Sequence, residues 1–188
     1  MPENSYSVDV AILGGGPGGY VAAIRAAQLG HAVAVVERED LGGICVKWGC
    51  IPTKALLRSA EVYETIQNAA DYGLTVGEIG YDFGKIIERS RKVAQKQVKG
   101  VEYLFKKNKI EYLRGSGTLT DAHTLEVDLT EGDEKATVEA KHIIVATGAR
   151  PQEIPDVEID GDKVISSREA MNLDEQPESL IVMGAGAM

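Results

Sequence analysis

Apolar and polar positions along this 188-residue chain change period several times, and each change marks an expected element. Val8-Asp-Val-Ala-Ile-Leu13 is a short apolar run of strand type that passes directly into Gly14-Gly-Gly16-Pro17-Gly18-Gly19. A helix-like stretch, Tyr20 to Leu29, comes next, and His31-Ala-Val-Ala-Val-Val36 is a second strand ending at Glu37. Together they predict a βαβ unit of about 30 residues. Pro52 can sit in a first helical turn, and Leu56, Ala60, Tyr63, Ile66 and Ala70 then recur at helical spacing. A second amphipathic helix is predicted from about Phe83 to Lys107. It carries Ile86, Ser90, Val93, Gln97 or Val98, Val101 and Leu104 on one side and a solvated charged face on the other.

The second half reads differently. Ile110 to Leu113, Thr118 to Leu129 interrupted at Thr120-Asp-Ala-His123, and Ala136 to Ala140 alternate as antiparallel strands do. Turns are expected at Asp121, at Gly132-Asp133 and at Gly115-Ser-Gly117. Lys141-His-Ile-Ile-Val-Ala-Thr-Gly148 reads as a buried parallel-type strand ending in small residues. From Pro151 to Pro177 the chain is acidic and punctuated by proline, the character of an interdomain linker. Leu180-Ile-Val-Met183 is a further strand, followed by Gly184-Ala-Gly186-Ala-Met188, a second glycine repeat cut short. The plan expected is a nucleotide-binding domain over 1–150, a linker over 151–177 and the start of a second nucleotide-binding domain at 178–188. On this reading the chain is the N-terminal part of a longer protein.

With 44% apolar residues the chain can bury a full core. A net charge of −9 argues against nucleic acid as a partner, because phosphate binding needs a basic surface. No run of about 18 apolar residues suggests membrane insertion, and Met1 to Asp9 lacks the pattern of a signal peptide, so the cytosol is the expected compartment.

The candidate chemistry lies in two places. In the glycine run, Gly14 permits a tight turn, Gly16 lets the backbone approach a pyrophosphate, and Gly19 allows close packing of helix on strand. The diphosphate would sit on the helix N-terminus beside Pro17 and Gly18, with Glu37, next to Arg38, accepting from ribose hydroxyls. The other place is Leu41-Gly-Gly-Ile-Cys45-Val-Lys-Trp-Gly-Cys50-Ile-Pro52-Thr-Lys54, which holds the chain's two cysteines. A regular helix would set them roughly 8 Å apart, and a disulfide tolerates no more than about 7 Å between Cα atoms. A bridge therefore needs a distorted backbone, and Gly49 is best able to supply it. Such a pair reads as a redox couple cycling between dithiol and disulfide. A zinc site is disfavoured with two Cys and the scattered His31, His123 and His142, while a structural disulfide and two unpaired thiols remain open. Lys54 shares a helix face with Cys50, where a cation and the helix N-terminus would favour a thiolate. Gly42 and Gly43 would let the backbone pass close to a planar cofactor.

The Gly14 run, the Gly-Gly-x-Cys-x4-Cys-Ile-Pro-Thr-Lys segment, Gly115-Ser-Gly117, Ala146-Thr147-Gly148 and the second Gly-x-Gly resemble the pyridine nucleotide-disulfide oxidoreductases over the whole chain. Gly18-Gly-Tyr-Val-Ala-Ala23 and Cys50-Ile-Pro-Thr-Lys-Ala-Leu-Leu57 are most similar to the members that oxidise dihydrolipoamide. The resemblance implies an α/β fold: a Rossmann-like FAD-binding domain with an inserted helix pair and a small antiparallel β segment, plus the first strand of a second nucleotide-binding domain. It implies FAD held by the Gly14 run, Glu37, Lys54, Gly117 and Ala146-Thr147-Gly148, and NAD bound mostly beyond residue 188. Cys45 would exchange with the dithiol substrate, and Cys50 would contact the flavin. Partners implied are dihydrolipoamide on the lipoyl domains of 2-oxo acid dehydrogenase or glycine cleavage complexes, and a second subunit in a homodimer. The family's His-Glu base matches none of the three histidines here. The alternatives are a disulfide reductase of glutathione or mercuric ion type, and a non-catalytic module binding FAD or a nucleotide.

Overall fold

Val33–Glu37 (β2) has no polar alternation because both its faces are covered: Val33 and Val35 enter one core, and Ala34 and Val36 another. The computed structural model describes residues 4–132, 134–152 and 154–184, which divide into two units: residues 1–47 with 95–149, and residues 48–94 with 150–188.

In the first unit Ser5–Leu13 (β1) lies between β2 and Lys135–Val145 (β5), parallel to both, and β2 pairs in parallel with Glu111–Leu119 (β3). A fifth strand then joins β3 to β5. Gly115 to Leu119 of β3 and Lys135 to Glu139 of β5 pair antiparallel with Thr124–Leu129 (β4), so the five strands close into a ring. Leu125 and Val127 of β4 point inward with Ala136 and Val138, while Glu126 and Asp128 stay exposed, as period-2 alternation requires. Outside the ring, Pro17–Gln28 (α1) and the second half of Phe83–Lys107 (α4) cover the other face through Ala23, Val101 and Phe105.

Gly43–Lys47 (α2) ends the first stretch of the first unit, and the second unit starts at Trp48. The second unit holds Cys50–Gln67 (α3), the 3-10 turn Ala69–Tyr72, the first half of α4 and the short helix Ser167–Ala170 (α5). Arg89 ties α4 to α3, donating to the Ala55 carbonyl at 2.8 Å and to Ser59 Oγ at 3.3 Å. The Tyr63 and Tyr81 rings meet edge to face, and the Tyr81 hydroxyl donates to Gln176 Oε1 at 2.9 Å.

The α/β class and the helix Phe83–Lys107 agree with the sequence reading. Several expectations are corrected. Gly115-Ser-Gly117 is strand, not turn. A Cβ at Gly115 would stand 2.4 Å from the Asp128 carbonyl oxygen, so close strand packing requires glycine there, while one at Gly117 would stand 2.6 Å from Leu13 Cδ1, the end of a side chain that can shift. The segments expected as separate strands at Ala136 and Lys141 are one strand, and its later part is not buried. Beyond Ala140 it pairs only with β1, leaving Val145 60% exposed. Leu180 to Met183 forms no strand, since no described strand pairs with it, and Ile181 is 90% exposed. Along α4 the buried line passes through Ala94 and Phe105 in place of Val93 and Leu104. On α3, Ala60 is exposed while Pro52 and Ala55 are buried. Asp133 of the expected turn, and Gly186 and Met188 of the second glycine repeat, lie outside the described residues.

Candidate functional site

The glycine run occupies the ends of β1 and β5. Gly14 has φ +109°, and a Cβ there would stand 2.2 Å from the Ala146 carbonyl oxygen. A non-glycine residue would therefore be both strained and obstructed. At Gly19 a Cβ would stand 1.8 Å from the Gly14 carbonyl oxygen, so α1 can cross β1 this closely only with glycine there. Gly16 caps α1 without any side-chain hydrogen bond, and Pro17 opens the helix.

Gly42 and Gly43 both have positive φ, +99° and +58°, which turns the chain after β2 back onto the glycine run. A Cβ at Gly43 would lie 2.8 Å from Gly16 Cα, so the two backbones meet without side chains between them. The Glu37 carboxylate supports this junction, accepting from the Gly15 amide at 2.7 Å and the Glu39 amide at 2.8 Å. Asp40 pairs with Lys47 and, at 3.5 Å, with Arg114, fixing α2 against β3. The Tyr112 hydroxyl donates to the Glu39 carbonyl at 3.4 Å, and burial raises its pKa above the ordinary tyrosine value.

The structure thus brings Gly14 to Gly19, Glu37, Gly42, Gly43, Ala146 and Thr147 to one place in the first unit. Gly117 lies under Leu13 and Val36, Arg38 is exposed, and Gly148 has φ +74° with open space where a side chain would stand. A bare, uncapped helix start against a glycine-only notch is a cradle that a diphosphate fits, because aligned amides and the helix dipole attract anions.

The cysteines are joined in a disulfide. Cys45 lies inside α2 and Cys50 opens α3, and only Trp48 and Gly49 separate the two helices. Gly49 departs from helical geometry with φ −143° and ψ −106°, which is where the expected distortion falls. Cys45 is half-buried and Cys50 exposed; Lys54 is exposed one turn along α3. No side chain caps the α3 N-terminus, so Cys50 sits at the positive end of an 18-residue helix. Thr53 donates from Oγ1 to Met171 Sδ at 3.6 Å. Among the described residues no group of three or more His, Cys, Asp or Glu could hold a metal.

Sequence reasoning missed Asp40, whose partners lie in other elements, and Trp48, whose position between the cysteines was the available signal. His31 lies 4.0 Å from Asp9, His123 contacts the Ala140 carbonyl at 3.1 Å, and His142 is exposed.

The family model described as pyridine nucleotide-disulphide oxidoreductase matches residues 8–188. A dihydrolipoyl dehydrogenase of Chlorobaculum parvum is 51% identical over 186 residues, covering 99% of this chain and 39% of that protein. Proteins of the same name from Zymomonas mobilis and Bacillus subtilis are 54% and 46% identical, each over 96% of this chain and 38% and 40% of their own lengths. The chain therefore spans about two fifths of the relatives it matches. With the glycine cradle and the oxidised cysteine pair in place, and the match running through nearly every residue, the chain belongs to the pyridine nucleotide-disulphide oxidoreductase family.

Proposed function

We propose that this chain is the FAD-binding and disulfide-bearing part of a dihydrolipoamide dehydrogenase, which oxidises dihydrolipoamide with NAD+ as final acceptor. The observation that carries the reading is the Cys45–Cys50 disulfide at a helix junction, with Cys50 on the N-terminus of α3. The helix dipole makes Cys50 the better leaving thiolate. Substrate thiolate therefore attacks Cys45 Sγ and expels Cys50, because exchange is faster when the departing thiol has the lower pKa. The second substrate thiol then attacks the mixed disulfide and releases Cys45. Substrate leaves as lipoamide, and the pair holds two electrons as a dithiol.

On this reading Gly14, Gly16, Pro17, Gly18 and Gly19 would take the diphosphate of FAD on α1, while Glu37, with Arg38 adjacent, would take the ribose. Gly42, Gly43 and Ala146-Thr147-Gly148 would line the rest and Lys54 would neighbour the flavin, as the family resemblance implies, whereas Gly117, also implied by it, packs under Leu13 and Val36. FAD, when bound, supplies the two-electron relay between the dithiol and NAD+. The same reading assigns 1–150 to the FAD domain, 151–177 to a linker and 178–188 to the start of the NAD domain. It also assigns a homodimer, lipoyl domains of 2-oxo acid dehydrogenase or glycine cleavage complexes as partners, and a cytosolic location. No helix of the described residues is long and apolar enough to cross a membrane.

The test uses the full-length protein with dihydrolipoamide and NAD+, set against oxidised glutathione and NADPH. Activity is expected with the first pair, and Cys45→Ser or Cys50→Ser should lower it by about a thousandfold or more, as loss of a covalent nucleophile does. Either serine variant turning over like wild type would end this reading, and preference for glutathione would move the protein to another branch of the family.

A further inference from the structure

Trp48, the chain's one tryptophan, stands beside Gly49 in the bend between the helices that carry the two cysteines. Two guanidinium groups lie over its ring: the Arg168 carbon is 4.4 Å from the ring centroid and the Arg91 carbon 5.0 Å. Arg91 comes from α4 and Arg168 from α5, so segments far apart in sequence meet on one side chain. Two like charges gather at one ring only at a cost, which the electron-rich face of the indole offsets. Burial lowers the Arg91 pKa, and a desolvated cation interacts more strongly with such a face. Arg168 is itself held in a capping box: the Ser166 side chain accepts its amide at 3.2 Å, and Glu169 accepts the Ser166 amide at 2.8 Å.

We infer that Trp48, clamped by Arg91 and Arg168, is a positioning residue that holds the bend so that Cys45 and Cys50 re-form their disulfide readily. The inference rests on the redox reading proposed above. A pinned bend limits the conformations open to the dithiol, keeps its sulfurs near one another and so favours the oxidised form, as preorganisation favours any ring closure. A mobile bend would let the thiols part. The balance is simple: two glutathione thiols give two electrons and two protons to the pair, yielding glutathione disulfide and two cysteine thiols.

The experiment equilibrates full-length protein in glutathione buffers of graded ratio, alkylates the free thiols and reads the oxidised fraction from the mass of the Cys45–Cys50 peptide. Trp48→Ala should lower the equilibrium constant for disulfide formation about tenfold and Arg168→Ala about threefold, the range expected for loss of cation–π contacts. Trp48→Phe, which keeps a ring face, should fall between wild type and Trp48→Ala. If Trp48→Ala fails to fold, the exposed Arg168→Ala and the ring-retaining Trp48→Phe still decide the matter. Variants within twofold of wild type would overturn the clamp, as would an effect of Trp48→Ala with none from Arg168→Ala. A wild-type pair that exchanges at no glutathione ratio would instead remove the redox reading, and the clamp with it.

Discussion

Gly18 and Gly19 are neighbours at the start of α1 with opposite tolerance for a side chain. A Cβ at Gly18 would meet Ala146 Cβ at 3.7 Å, an ordinary contact, whereas one at Gly19 would stand 1.8 Å from the Gly14 carbonyl oxygen. Backbone cannot yield as a flexible side chain can. Gly19→Ala is therefore expected to destabilise the protein by about 3 kcal/mol, at the upper end of overpacking costs, while Gly18→Ala should stay within about 0.5 kcal/mol. Urea unfolding of both variants checks this, and equal midpoints would contradict the packing argument. The glycine fingerprint was legible in sequence because each position answers a local backbone need. What Glu37 touches was not. Its place after a strand was clear, but its bonds to the Gly15 and Glu39 amides depend on how the loops fold back.

Among the elements, α5 shows how a short helix is made definite by its ends. Four residues, Ser167–Ala170, are too few to be stable alone. The hydrogen bond from the Ser166 side chain to Glu169, at 2.5 Å, holds the glutamate pKa below its ordinary value, with the Ser166 amide adding to it. A folded-state pKa that is depressed contributes stability above the unfolded value, and that contribution is lost as pH falls through the folded one. The box should therefore hold at neutral pH and open only in acid below the usual glutamate range. A carboxyl carbon NMR titration is expected to place the Glu169 midpoint below that of an unstructured glutamate, and an unshifted midpoint would rule the cap out. Helix α4 was readable end to end from its periodicity. The Gly115 and Gly117 pair was misread as a turn, because glycine serves turns and tight strand packing alike, and only the neighbours Asp128, Leu13 and Val36 tell them apart.

For the molecule as a whole, a chain spanning about two fifths of its relatives holds the cradle and the cysteine pair, yet Val145, Ile181 and Val182 are 60%, 90% and 77% exposed. Apolar residues left in water, on the end of β5 and in the strandless stretch 180–183, lack apolar contacts. The purified 188 residues are accordingly expected to bind FAD weakly and to produce no NADH from dihydrolipoamide. Titration of flavin fluorescence and an NADH absorbance assay measure both, and turnover by this chain alone would count against the proposed division of labour.

The amino-acid sequence determined what neighbouring residues settle among themselves: the βαβ glycine run, the span of α4, and a cysteine spacing that, once bridged, obliges the backbone to break near Gly49. Tertiary structure alone decided which strands share partners, which faces are buried, and that Arg91 and Arg168 converge on Trp48. The reason is physical. Backbone preference and periodicity act over one or two turns, whereas pairing, burial and charge contact join groups whose separation along the chain carries no signal of their distance in space.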